Sequence, residues 1–257
     1  MPGSMSRVEK ALLLTTGHVA GFLCGMLTPM VLSRALSVEQ LGTYRQVFLI
    51  IWVVGFAGSL GMDNGLFYFV RRSPEHAARV SMSCMLFNIV SGSLIALAMW
   101  TFRSEFAAAM NNPDLLQHAP MLALYLFCLL PGQQLPAYLV ILGRIRGALL
   151  VNIANALALM LAATLGYTLG GSLDRVLQAL VAWALVRWAV LLWVNRCLDS
   201  QKSGGLTEWW AGLVTQLKYS LPLGFSNLLA VSLRLDRFVV ASFFPVGGFT
   251  RYSVGCF

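Results

Sequence analysis

Arg234, Asp236 and Arg237 lie inside the apolar stretch that begins at Tyr219, a run long enough to cross a bilayer. A charge near the bilayer centre costs from about 2.5 kcal/mol on insertion scales to ~10 or more in simulations, so such residues face a bundle interior or a watery cavity. Arg234 and Arg237 are three apart and share a helix face, with Asp236 rotated by about 100° from Arg237. Two guanidinium groups on one interior face suit a phosphate or an acidic sugar, because the planar fork holds oxyanions bidentately. The alternative is that either arginine pairs with Asp236 or Asp63 and serves only helix packing. Arg187 is a further intramembrane cation, about twelve residues into its span and so near the midplane. Asp63, Asp236 or an anionic ligand would justify it there.

Uncharged polar residues add to this set. Gln133 and Gln134 sit in PGQQLP, between Pro131 and Pro136. The prolines remove backbone donors and kink the helix, and the glutamines either satisfy the freed carbonyls or meet a ligand; broken helices often mark the substrate site of transporters. Asp63 lies in GMDNG, which marks a helix end reaching the headgroups or a cavity-facing carboxylate. Gly17, Gly21 and Gly25 put three glycines on one helix face, where a neighbouring helix can approach closely or a substrate path can be lined. Hydrolytic, nucleotide-binding and zinc motifs are all missing: there is no HExxH, no Walker lysine loop and no Ser-His-Asp set, and only three histidines, His18, His76 and His118. The five cysteines have no metal-ligand spacing and read as reduced core residues. No catalytic residue, metal or cofactor is expected.

The elements that hold these residues follow from composition. With 58% hydrophobic and only 11% charged residues and a mean hydropathy of +0.74, the chain is far more apolar than a soluble domain. The net charge of +8 has no solvated basic face to go with it, so nucleic acid is not a partner and the excess belongs to membrane topology. Apolar runs predict spans over residues 11–32, 46–66, 80–102, 120–142, 148–169 and 176–194, and a seventh from Tyr219. A loop holding Glu39 and Arg45 is expected between the first two. The fold class is all-α, a polytopic transmembrane bundle with a six-helix lobe at 1–195, a cytoplasmic linker carrying an interfacial helix at 196–218, and the start of a second lobe at 219–257. Lysines and arginines outside the spans number ten on the side of the N-terminus and five on the other, which makes the N-terminus cytoplasmic. At an offset of 208 residues, Val38, Leu41 and Tyr44 fall on Val246, Phe249 and Tyr252, and the chain restarts as a parallel repeat.

Three stretches carry a family resemblance: LSRALSVEQLGTYRQVF after span one, GMDNGLFYFVRR after span two, and YSLPLGFSNLLAVSLRLDRFVVASFF followed by VGGFTRYSVG. They resemble the polysaccharide flippases of the multidrug/oligosaccharidyl-lipid/polysaccharide exporter superfamily. VEQLGTY resembles that family's LGxxxFGxY loop with Leu41 in place of phenylalanine, and Leu221-Pro222 and Asp236-Arg237 resemble the opening of its second lobe. The resemblance implies a two-lobed bundle of about fourteen helices around a cationic cavity. Such a bundle moves a polyprenyl-diphosphate-linked oligosaccharide across the cytoplasmic, or inner, membrane by alternating access, in lipopolysaccharide or exopolysaccharide biosynthesis. Arg187, Arg234 and Arg237 would face the diphosphate or acidic sugars. The implied partners are the lipid-linked oligosaccharide, membrane lipids and other polysaccharide-assembly membrane proteins. On that reading the chain is one lobe and the opening of the next, a fragment of a longer protein or a truncated product, and a lone lobe lines only half a path. Two rivals are a multidrug exporter of the same superfamily, whose cavity should be acidic or aromatic, and a membrane-embedded polysaccharide polymerase, which should carry a large outward loop.

Overall fold

The computed structural model describes residues 6–198, 206–232 and 235–255. The described residues are almost all helical, without a strand, and six helical spans are long and apolar enough to cross a membrane, so the chain is a multi-pass membrane protein. Helix α1 (Arg7–Ala35) starts at a capping box in which Ser6 and Glu9 satisfy each other's backbone N–H groups. A second capping box, Ser37 with Gln40, starts α2 (Val38–Gly58) only two residues after α1 ends. The expected loop around Glu39 and Arg45 is therefore helix, and span two begins eight residues before the expected Gln46, because the S-x-x-Q cap outweighs the polar residues that follow it.

At Leu60 (φ 44°) and Gly61 (φ 76°) the chain turns into α3 (Met62–Arg72), and α2 with α3 makes one interrupted span of 35 residues. A short 3-10 turn leads to α4 (Ala77–Thr101); α5 (Arg103–Ala109) then fills part of what reads as a polar connection. The PGQQLP span is α6 (Leu115–Gln133) and α7 (Leu135–Ile141), broken at Gln134 alone. Helices α8 (Ile145–Gly170) and α9 (Leu173–Leu198) complete the six-span unit. After it come α10 (Leu206–Ser232), α11 (Leu235–Phe243) and α12 (Val246–Gly255). The interfacial segment and the start of span seven are thus one continuous helix, since no glycine or proline interrupts residues 213–221.

Helix α1 packs on α8, α4 on α6, and α9 on both α6 and α8. Two apolar clusters make up the core of the bundle. One, holding Leu41, Val47, Leu126 and Leu177, includes the start of α2; the other, holding Met62, Leu66, Tyr138 and Leu191, runs along α3 and α7. Outside the bundle, Phe22, Leu94, Leu150, Trp193 and Phe225 are exposed, as lipid-facing side chains must be. Helix α12 packs against α2, and α10 against α3, α2 and α4. Val38 and Val246, the pair related by the 208-residue offset, are each the first residue of their helix.

Candidate functional site

Against the first apolar cluster, whose Tyr44, Leu49, Tyr125 and Phe249 contribute to its wall, lies a cavity of about 510 Å³ lined by α1, α2, α6, α8 and α9, with Arg237 of α11 and Phe249 of α12. Its α2 wall is built by helical spacing: Arg45, Phe48 and Leu49, Trp52, and Gly55 and Phe56 recur at three- and four-residue steps and so share one face. Trp52 and Phe56 stack, with ring centroids 5.6 Å apart. Gly21 and Gly25 of α1 leave open space on the opposite wall, with nothing within 4 Å of where a Cβ would lie. Gly17 behaves differently: it is buried against Leu149 and Asn152 of α8. The expected glycine face is therefore divided between packing and lining.

Arg187 is the central cation. It is 6% exposed, its Nε has no acceptor, and among the described residues no carboxylate lies within ion-pairing distance. Two tryptophans fix the segment of α9 that carries it. Trp188 Nε1 donates to the Cys128 carbonyl at 2.7 Å, and Trp183 Nε1 donates to Asn155 Oδ1 at 3.0 Å. Gly132 lets α6 approach, since a Cβ there would sit 3.1 Å from Arg187 Cβ. Pro131 is buried beside it in the last turn of α6, where its missing N–H frees the Phe127 carbonyl, and Pro136 opens α7. Together these contacts hold a guanidinium in a membrane interior with no counterion among the described residues, an arrangement that costs several kcal/mol unless an anion or water completes it.

Arg45 and Arg237 also line the cavity and lie close enough to repel one another. The described lining thus carries three arginines and no carboxylate. Arg45 is the lining residue that the sequence reading placed in a loop. The signal that finds it is the Ser37 capping box, which puts Arg45 seven residues beyond the first residue of α2, about 10 Å into the helix. Gln133 lines the cavity with its Oε1 lacking a donor. Gln134 does not line it; it is fully buried and donates from Nε2 to the Ser81 carbonyl at 3.0 Å.

Neither expected acidic partner reaches Arg187. Asp236 is exposed and accepts a 2.7 Å hydrogen bond from the Tyr252 hydroxyl, while Asp63 opens α3 next to α4, with Oδ1 buried and without a donor. Arg234 lies outside the described residues. His18, next to Gly17 on α1, is exposed. His118 instead holds Asp174 at 2.8 Å, linking the starts of α6 and α9.

Comparison with curated proteins returns no match. Among solved structures, the chain is similar to a multidrug resistance MATE family transporter of the MOP superfamily in an outward-facing conformation, with a TM-score of 0.68 and 17% identity. It is also similar to a MOP superfamily transporter from Pyrococcus furiosus, for which a reversed polarity of the binding pocket suggests a different function, with a TM-score of 0.67 and 17% identity. Each likeness covers 88% of this chain and 53% of the other, so the chain spans about half the length of these transporters and shares their fold. The family model described as polysaccharide biosynthesis protein matches residues 31–256, from the last turn of α1 to the end of α12. On that match, and with the helical architecture around it, the chain belongs to the polysaccharide biosynthesis protein family.

Proposed function

We propose that this chain forms the first lobe and the opening of the second in a transporter that flips a polyprenyl-diphosphate-linked oligosaccharide across the cytoplasmic membrane by alternating access. The single observation that carries this reading is the sign of the cavity: Arg45, Arg187 and Arg237 with no carboxylate in the described lining. A diphosphate offers several oxygens to guanidinium forks, each charge-assisted bond being about twice as strong as a neutral one. The aromatic α2 wall, with Trp52 and Phe56, suits sugar rings beside it. The same charge disfavours the multidrug reading, because organic cations would be repelled. The family description, polysaccharide biosynthesis, points the same way. A carrier rather than an enzyme fits a cavity whose described lining holds no histidine, lysine or carboxylate to act as a general base.

The N-terminus is cytoplasmic on this reading. With Arg45 inside a span, the poorer side of the topology count loses a cation and the excess stays on the side of Arg71, Arg72, Arg144 and Arg146. Lipids and other polysaccharide-assembly membrane proteins are the partners such a carrier would meet. The test is glycan export by the intact full-length protein in cells lacking the native copy. Arg187→Glu should abolish export, and Arg187→Ala or Arg45→Ala should lower it by about tenfold or more, the loss of one charge-assisted bond. Export at the wild-type rate by Arg187→Glu, at equal protein level in the membrane, would sink the proposal.

A further inference from the structure

The span that begins at Val38 ends at Arg72, and its last turns carry a basic and aromatic patch away from the cavity. Phe56 is the last residue of this span on the cavity wall, about four helical turns before Arg72. Tyr68, Arg71 and Arg72 are exposed and fall at three- and four-residue steps, so they share one outward face of α3. The Tyr68 ring stacks on Tyr219 of α10, with centroids 4.4 Å apart, and meets Phe69 edge-on at 5.1 Å. Phe69 in turn meets Tyr219 edge-on at 5.6 Å, so three rings from two helices brace one another. Arg72 folds back over this cluster. Its Nη1 donates to the Tyr68 hydroxyl at 2.8 Å, and its guanidinium carbon lies 6.0 Å from the ring centroid. Tyr68 and Tyr219 are each 39% exposed, so the patch opens outward.

The charge of this patch is unopposed. Among the described residues no carboxylate lies within ion-pairing distance of Arg71 or Arg72, and Glu75, the nearest acid in sequence, sits beside His76 at 3.3 Å. Arg72 spends one of its five N–H groups on Tyr68 and keeps the rest for another acceptor. The hydrogen bond and the ring hold the guanidinium before anything binds, so less rotamer freedom is lost when an anion arrives. Arg146 makes the contrast. It is exposed at the start of α8 and makes no side-chain hydrogen bond, ion pair or ring contact among the described residues, as an ordinary topological cation does.

We propose that Tyr68, Arg71 and Arg72, with Tyr219, form a docking site for the headgroup of an anionic phospholipid in the cytoplasmic leaflet. A lipid phosphodiester offers its oxygens to guanidinium forks, and the end of a membrane span lies at headgroup level. Half-exposed tyrosine rings suit the boundary between headgroup and acyl chain, whereas a soluble acidic peptide would match the charge and leave the rings uncovered. The leaflet follows from the orientation proposed above, and its negative surface potential draws basic segments to it. Because Tyr68 and Arg72 belong to the six-span unit and Tyr219 to α10, a headgroup bound here sits on the joint between that unit and the helix leading out of it.

The experiment is thermal unfolding of the purified full-length protein in a neutral detergent, titrated with phosphatidylglycerol or phosphatidylcholine of the same acyl chains at fixed pH and ionic strength. Phosphatidylglycerol should stabilise the protein in a saturable manner and phosphatidylcholine should not. Arg71→Gln combined with Arg72→Gln should abolish the difference. Tyr68→Phe keeps the ring but releases the guanidinium, and should raise the half-saturating concentration by about fivefold, the loss of one hydrogen bond. Arg146→Gln removes one charge without this geometry and should change it by less than about twofold. Arg187→Ala, in the cavity, should leave the lipid effect intact, so failure here does not bear on the transport reading. Equal stabilisation by both lipids, the result if the rest of the protein covers the patch, overturns the proposal. So does a loss in Arg146→Gln as large as in Arg72→Gln, which reports a diffuse basic surface. Competition by polyglutamate at equal charge would assign the patch to an acidic protein, and loss of the effect in Arg187→Ala would put the headgroup in the cavity; either result also overturns it.

Discussion

A guanidinium inside a membrane protein must find an anion, a dipole or water, and Arg187 has been given tethers on both flanks and no carboxylate. That charge was legible in the sequence because it interrupts a long apolar run. Arg45 was not, because it follows Ser37, Glu39 and Gln40, and polar residues at a helix start look the same whether the helix begins in water or within the bundle. The adjacent glutamines show the same limit on a finer scale. PGQQLP announces a broken span, but only the geometry separates Gln133, open to the cavity, from Gln134, bonded to the Ser81 carbonyl. The two should therefore differ in what their loss does. Gln134→Leu leaves that carbonyl with one fewer donor and should lower stability by about 1 kcal/mol with little effect on export by the folded protein. Gln133→Leu should leave stability nearly unchanged and weaken export several-fold. Melting and export measured on the same preparations check the pair, and an equal export loss in both would mean that the cavity wall is wrongly drawn.

At the level of elements, α2 carries most of the cavity and is held by a lock far from it in sequence. Asn112, 1% exposed in the connection between α5 and α6, donates from Nδ2 to Gln46 Oε1 at 2.6 Å and to Thr43 Oγ1 at 3.0 Å, while Gln46 Nε2 donates to the Met110 carbonyl at 3.0 Å. Gln46 and Thr43 flank the turn that bears Arg45, so the lock fixes the rotation of α2 and the direction of its cavity face. Asn111 to Asp114, NNPD, has the composition of a turn, and nothing in it marks Asn112 as a tether, since the partner lies 66 residues away. Asn112→Leu leaves Gln46 Oε1 buried without a donor and should cost about 1–3 kcal/mol. In Asn112→Leu with Gln46→Leu that orphan disappears, so the double variant should lose less than the sum of the two single losses. Strict additivity in denaturation would show that the network does not couple the connection to α2.

For the whole molecule, the informative contact is the crossing of α2 and α12. The repeat offset of 208 residues, visible in the sequence through only three positions, relates Gly42 to Thr250 and Val38 to Val246. A Cβ on Gly42 would strike the Val246 and Thr250 side chains, and Thr250 Oγ1 donates to the Val38 carbonyl at 2.9 Å. Residues equivalent under the repeat therefore meet each other, which is the signature of an axis passing through the contact. The sequence could hint at the repeat but not at this meeting, since spacing along the chain does not say which equivalent positions face the axis. The crossing lies at the end of the cavity where α1 passes into α2, the outer end in the topology proposed above. Gly42→Leu cannot keep it closed, and its bulk should shift the population toward a form open at that end. Cys24 lines the cavity and reports the change, because a membrane-impermeant thiol reagent reaches it only through an open end. With the other four cysteines replaced by serine, labelling of Cys24 from outside spheroplasts should rise about tenfold in Gly42→Leu, equivalent to ~1.4 kcal/mol of population shift. Labelling from inverted vesicles should fall or stay level. A rise from the inner side instead would reverse the assigned orientation, and no rise from either side would mean that the crossing does not control access to the cavity.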